Sequence, residues 1–298
     1  MNNFWIGVLE QGLLFSIMSL GVYITYKILD FPDLSVEGTF PLGASVTAML
    51  LVKGANPILA CMLSICAGMA AGFVTGVLNV KFKITNLLSG ILVMIGLYSI
   101  NLRIMGKANT PFFNAKTIFS GEIPPVFVIM ILALIVKLLL DLMFKTKFGF
   151  ILKATGDNHT MVTSLGVDIG IIKIMGIMLS NGLVALAGSV MAQYQRFSDV
   201  GMGSGIIVMG LASIIMGETI LKALPIISGT ACALFGSLLY KGSIAIALKA
   251  GLPPTDLKLI TSVIVIAALA VYNGGLKVKF GRNLLSGGVK AVTDTKSA

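Results

Sequence analysis

The sequence predicts an all-α, polytopic membrane bundle of about nine spans (eight to ten), with a broken second helix and an inverted repeat. Three observations predict it. Of 298 residues, 56% are hydrophobic and only 11% are charged, against about 25% charged in soluble domains. Mean hydropathy is +0.98, too apolar for nearly 300 residues to hide in one aqueous core. The apolar runs are long and continuous, not alternating every second residue, which excludes a transmembrane β-barrel. The same composition excludes a soluble enzyme, a secreted disulfide scaffold and a disordered chain.

A spanning helix needs about 20 mostly apolar residues. Stretches of that kind run over 5–29, 36–53, 57–79, 84–105, 123–144, 171–195, 203–221, 224–248 and 256–273. The second follows Phe31-Pro32-Asp33 and contains Pro41 and Gly43, so a broken or re-entrant helix is expected there. In the third, Gly68, Gly72 and Gly76 recur every four residues on one face. Such a stripe lets two helix backbones approach closely in lipid. Residues 1–298 read as one membrane domain with an inner loop over 145–170 and an inner tail over 274–298.

The repeat rests on two segments. Asp33, Ser35 and Gly38 open the second span, and Asp199 and Gly203 open the seventh. An odd number of spans separates them, which sets the two units in opposite topology, with interrupted helices near the centre. The net charge of +10 is read as basic loops facing an anionic inner leaflet rather than as a nucleic-acid surface. Lys81, Lys83, Lys145 and Lys147 fall on one side. Together with the basic tail they place the amino terminus outside and the carboxyl terminus inside.

Chemistry-bearing patterns are few. Cys61, Cys66 and Cys232 lie in apolar runs, and His159 is the lone histidine, so neither a metal site nor a His-based triad is expected. No G-x-x-x-x-G-K-[ST] occurs, so the chain is not its own ATPase by that route. Polar residues within spans are costly and demand a reason. Asn86, Ser89, Tyr98 and Asn101 in the fourth span and Asn181 in the sixth are candidates to line a polar translocation path. Interhelical hydrogen bonding is the alternative reading. The inner loop carries Gly156-Asp157-Asn158, then Met161, Val162, Leu165 and Gly166. Asp157 or Asn158 can cap a short helix that Gly166 ends, with an apolar stripe at Met161, Val162 and Leu165. That helix either rests on the membrane surface or docks a soluble partner.

Several of these residues together resemble a known family. Ala154-Thr155-Gly156-Asp157-Asn158 through Leu165-Gly166, followed by Ser180-Asn181-Gly182-Leu183-Val184-Ala185-Leu186-Ala187-Gly188, is similar to bacterial ABC importer permeases of the branched-chain amino acid and ribose group. Asp33-Leu34-Ser35-Val36 matches a stretch common in its sugar branch. Leu97 to Gly106 and Gly210 to Glu218 are most similar to a subgroup labelled tryptophan/tyrosine permeases. The resemblance spans about Leu13 to Tyr272.

It implies a non-enzymatic membrane subunit without cofactors, sitting in the cytoplasmic membrane and moving an amino acid or related small polar solute. The partners implied are two cytoplasmic ATPases, a second permease copy, an extracytoplasmic binding protein and membrane lipid, with no nucleic acid. Gly156, Asp157, Asn158, Met161, Leu165 and Gly166 would then form the ATPase-coupling element. A stand-alone secondary transporter or channel is the alternative. An intramembrane lipid-processing enzyme lacks its acid/base groups here.

Overall fold

A computed structural model describes residues 2–221, 228–251, 253 and 256–272. The expected inner tail and the 222–227 link, including the first residues of the expected eighth span, lie outside the described residues. Eleven helices are present among those described: α1 Asn2–Tyr23, α2 Val36–Val52, α3 Pro57–Val80, α4 Asn86–Met105, α5 Pro125–Phe144, α6 Lys147–Asp157, α7 His159–Ser164, α8 Ile169–Gln195, α9 Ile206–Leu221, α10 Gly229–Lys249 and α11 Leu257–Tyr272. A π-helical turn, Ile24–Ile28, extends α1, and a 3-10 turn, Val200–Gly203, precedes α9.

Among the described residues, seven helical stretches, α9 counted with its 3-10 turn, are long and apolar enough to cross a membrane. The second and ninth expected spans are shorter helices, α2 with 17 residues and α11 with 16. The chain is therefore a polytopic helical membrane protein.

Local chemistry sets the boundaries. Asn56 caps α3, its side chain accepting from Ile58 N, and Pro57 fills the first helical position. Gly106 ends α4 in the left-handed region at φ 69°. Asp168 caps α8 through Gly170 N at 2.7 Å.

The packing is two-fold. α3 lies against α8 as α10 lies against α1, and α2 packs on α8, α3 and α4 as α9 packs on α1, α10 and α11. At the centre α1 meets α8 antiparallel. Tyr194 donates to Glu10 Oε2 at 2.7 Å near one end, and Ser180 donates to the Gly21 carbonyl at 2.7 Å toward the other. Exchanging α1–α4 with α8–α11 preserves these contacts, and the antiparallel seam is what opposite topology requires.

Small residues close the seams. Gly68, Gly72 and Gly76 all face α8, against Ala185, the Ile177 carbonyl and Ile174. The expected stripe is thus a helix–helix contact. On α5, by contrast, Phe127, Ile131, Leu134, Leu138 and Leu142 remain exposed. That is the signature of a lipid-facing side.

The second helix is not broken at Pro41. α2 runs through it without interruption, and the break falls before it, at 29–35. Pro41 has no N–H to give the Glu37 carbonyl, and Gly203 packs its Cα against that carbonyl instead. The 29–35 segment is non-helical and deep. Asp30 turns the chain at φ 49°. Asp33 then meets Asn181, which lies about 18 Å along α8 from Ile169 at 1.5 Å per residue. Irregular backbone at such depth is tolerated where protein surrounds it.

Candidate translocation core and coupling element

Asp33, 1% exposed, is the centre of a buried polar cluster. Its Oδ1 accepts from Ser35 N at 2.8 Å and its Oδ2 from Asn181 Nδ2 at 2.8 Å. Asn181 Oδ1 accepts in turn from the hydroxyls of Thr39 (2.7 Å) and Ser35 (3.2 Å). Asn181 thus ties the entry of α2 to the middle of α8 with both ends of its amide. Among the described residues no cation hydrogen-bonds Asp33, whose carboxylate is held by this neutral donor set. Gly90 of α4 sits against Leu34 N and Ser35 N, where a side chain would not fit. Glu37, one turn on, reaches across to α9: its Oε1 accepts from Gly205 N at 3.1 Å. The start of α2 and the start of α9 are therefore joined directly.

Beside Glu37 lies a cavity of about 430 Å³, walled by Gly38, Pro41, Met94, Ile95, Tyr98, Ser99, Asn101, Val200, Gly201 and Ser204. Of the five path candidates, Tyr98 and Asn101 line it. Asn181 is fully buried in the Asp33 cluster and does not line the cavity. Asn86 and Ser89 lie at the opposite end of α4. Asn86 Oδ1 accepts from Asn79 Nδ2 at 2.8 Å, and Ser89 donates to the Asn86 carbonyl at 2.8 Å. The structure therefore does not gather all five into one lining.

Of the segments expected to interrupt helices, Asp33 and Ser35 sit in the break. Gly38 lies in the first turn of α2. Asp199 ends the strand β2 Phe197–Asp199, and Gly203 ends the 3-10 turn. Asp199 Oδ1 accepts from Gly201 N at 2.7 Å, capping that turn. The strand pairs antiparallel with β1 Asn109–Pro111, in the long loop between α4 and α5, Thr110 opposite Ser198. Three-residue strands carry no readable periodicity, so sequence reasoning could not find this sheet. It also missed Glu37, whose one available signal is an acid in the first turn of an apolar helix.

The 145–170 stretch folds as two helices rather than one. Asn158 adopts an extended conformation (φ −152°, ψ 97°) and its Oδ1 accepts from Met161 N at 3.1 Å. The side chain competes with continuation of α6 and starts α7 afresh. Gly156 and Asp157 consequently close α6. Gly166 follows α7 in the left-handed region at φ 72°. Leu152, Thr155 and Val162 are buried, while Phe150, Met161 and Leu165 are exposed. Gly156 packs on the Ile28 carbonyl, at the end of the π-helical turn, where any β-carbon would collide. The pair α6/α7 thus exposes Phe150, Met161 and Leu165 among polar neighbours such as Lys153, Thr160 and Thr163, and makes a backbone-to-backbone contact with the foot of α1.

The fold defines the class: a multi-pass helical membrane protein whose polar residues converge at depth. The comparisons give the family. Residues 4–271 match the family model described as branched-chain amino acid transport system / permease component. The chain belongs to that family and is a permease component of an ABC-type transport system. It is 53% identical to the tyrosine transport system permease protein of Clostridioides difficile, over 92% of this chain and 93% of that one. It is 32% identical to an uncharacterized protein of Rickettsia prowazekii, over 90% and 97%. It is 28% identical to the autoinducer 2 import system permease protein of Yersinia enterocolitica, over 85% and 70%. No solved structure matches the chain.

Proposed function

We propose that this permease imports an amino acid with an aromatic side chain, driven by ATP that a cytoplasmic partner hydrolyses. Family membership supports an ATPase and a substrate-binding protein as partners. The relative named for tyrosine supports the solute class. In this reading two copies of the chain pair in the cytoplasmic membrane, each with its amino terminus outside and carboxyl terminus inside.

The observation that carries the coupling reading is the α6/α7 pair. Its apolar outer residues, Met161 and Leu165, suit a groove on the ATPase. Asn158 and Gly166 shape the helix that presents them, with Asp157 beside it. Gly156 passes displacement to the Ile28 carbonyl and so to the Asp33 segment. ATP closure of the ATPase pair would move these elements together and switch the paired permeases between two states. The path follows α4, with Tyr98 and Asn101 on the cavity, Asn86 and Ser89 at its other end, and Asn181 holding the wall.

Purification from native membranes in mild detergent tests this. A stoichiometric Walker-motif ATPase is expected to stay bound, and the double variant Asp157→Lys, Asn158→Lys is expected to lose it. A clean homo-oligomer without ATPase, under conditions that preserve a control ABC complex, overturns the reading in favour of a stand-alone transporter.

A further inference from the structure

The cavity beside Glu37 has an unusual polar balance. Among the described residues, Glu37 is the one charged residue in its wall, and no lysine, arginine or histidine lines it. Asn101 is fully buried. Its Nδ2 donates to the Gly38 carbonyl at 3.2 Å, which fixes the amide against the first turn of α2, one residue from Glu37. Its Oδ1 is left as a buried acceptor without a hydrogen-bond partner. Buried acceptors are nearly always satisfied, and an exception calls for an explanation. The electropositive helix start that could attract an anion is already answered, because Glu37 Oε1 accepts from Gly205 N at the head of α9. What remains is a carboxylate and an amide oxygen, both acceptors, beside Met94, Ile95 and Tyr98.

The position matters as much as the chemistry. Ile95, Tyr98 and Ser99 are exposed on the outer surface of α4, so the cavity opens sideways, at the depth of the membrane-spanning helices. A carboxylate facing lipid there is costly. A face of this kind borders water or protein. The volume of about 430 Å³ lies within the roughly 300–1,000 Å³ of small-molecule sites.

We propose that the Glu37 carboxylate receives the protonated amine of the solute, with the unpartnered Asn101 Oδ1 sealed just behind the wall as a second acceptor, and with Met94, Ile95 and Tyr98 against the solute's apolar or aromatic body. The inference rests on reading the chain as the solute-conducting permease, and it assigns the amine, not the carboxylate, as the recognised group. The hydroxyls of Tyr98 and Ser99 can donate to a solute carboxylate, but they carry no charge to select for one.

The test uses the full purified complex with Cys61, Cys66 and Cys232 replaced and Ser99→Cys introduced. A charged, membrane-impermeant thiol reagent is expected to label position 99. Tyramine, which keeps the amine and lacks the carboxylate, is expected to protect it, whereas 3-(4-hydroxyphenyl)propionate, which lacks the amine, is not. Glu37→Gln keeps an oxygen for Gly205 N and removes the charge. It is expected to raise the half-protecting tyramine concentration about tenfold, and Asn101→Leu to raise it in the same direction. Equal protection by the two probes overturns the proposal. An unchanged half-protecting concentration in both variants overturns it too, as does a position 99 that never labels because it faces lipid. Should one variant fail to give a monodisperse complex, the other and the wild-type probe comparison still decide. ATP-driven uptake by the unsubstituted complex is scored separately. Its absence with amine-selective protection intact would count against the importer reading and not against the site.

Discussion

The segments that lead into α2 and α9 occupy equivalent places in the two-fold frame, yet they are held differently. In the first, Asp33 is buried and bound by Asn181 from α8 and by Ser35 N. In the second, Asp199 is half-buried and accepts from Gly201 N, two residues away. The first abuts the foot of α1, where Gly156 of α6 rests. The second is stitched to the long 106–122 loop through β1 and β2. One frame thus carries two unlike attachments: a rigid one toward α6/α7 and a lighter one toward the opposite end. A repeat supplies the architecture, and the departures from it say which element each half answers to.

The strongest way to break this comparison is Asn181→Leu. It leaves Asp33 Oδ2 and the hydroxyls of Ser35 and Thr39 without their shared partner. A loss of about 3 kcal/mol is expected, read as a large fall in Tm of the detergent-solubilised protein or as failure to accumulate. Gly156→Val comes next. Its side chain meets the Ile28 carbonyl, and overpacking of that kind costs about 1–3 kcal/mol. A larger loss of ATP-driven uptake than of Tm is expected, because the contact joins moving parts.

Asp199→Ala removes one cap and is expected to cost about 1 kcal/mol, well below Asn181→Leu. Similar Tm shifts for the two would erase the asymmetry. Leu165→Asp is the smallest in stability. The residue is exposed, so Tm should stay within about 0.5 kcal/mol equivalent, while retention of the ATPase on purification falls about tenfold. Unchanged retention would remove α7 from the coupling surface.

Much of the fold was legible because lipid imposes one rule, long apolar runs, and the chain obeys it. The glycine stripe of α3 was equally plain, since period four on a helix leaves one reading. The start of α7 was visible in Asn158, whose capping chemistry is local. The site was harder. Nothing in the sequence near Asn181 says that its partner is Asp33, 148 residues away. Asn86 and Tyr98 look alike as polar residues on one apolar helix, yet only Tyr98 reaches the cavity. Glu37 escaped notice because an acid at a helix start has an ordinary explanation, and here that explanation holds for the wrong helix: it caps α9 rather than its own.

The close glycine seams carry a further consequence. Gly43 lies on the Ala185 carbonyl, Gly188 on that of Phe40, Gly217 on that of Cys232 and Gly236 on that of Ser213. At each, a single added methyl would strike a backbone oxygen that cannot rotate away. In a saturation mutagenesis survey scored by uptake, these positions would rank beside the solute-contacting residues, although they touch no solute. Scoring membrane abundance in parallel would separate the two groups: the glycine variants would vanish from the membrane, and the cavity variants would remain there, silent.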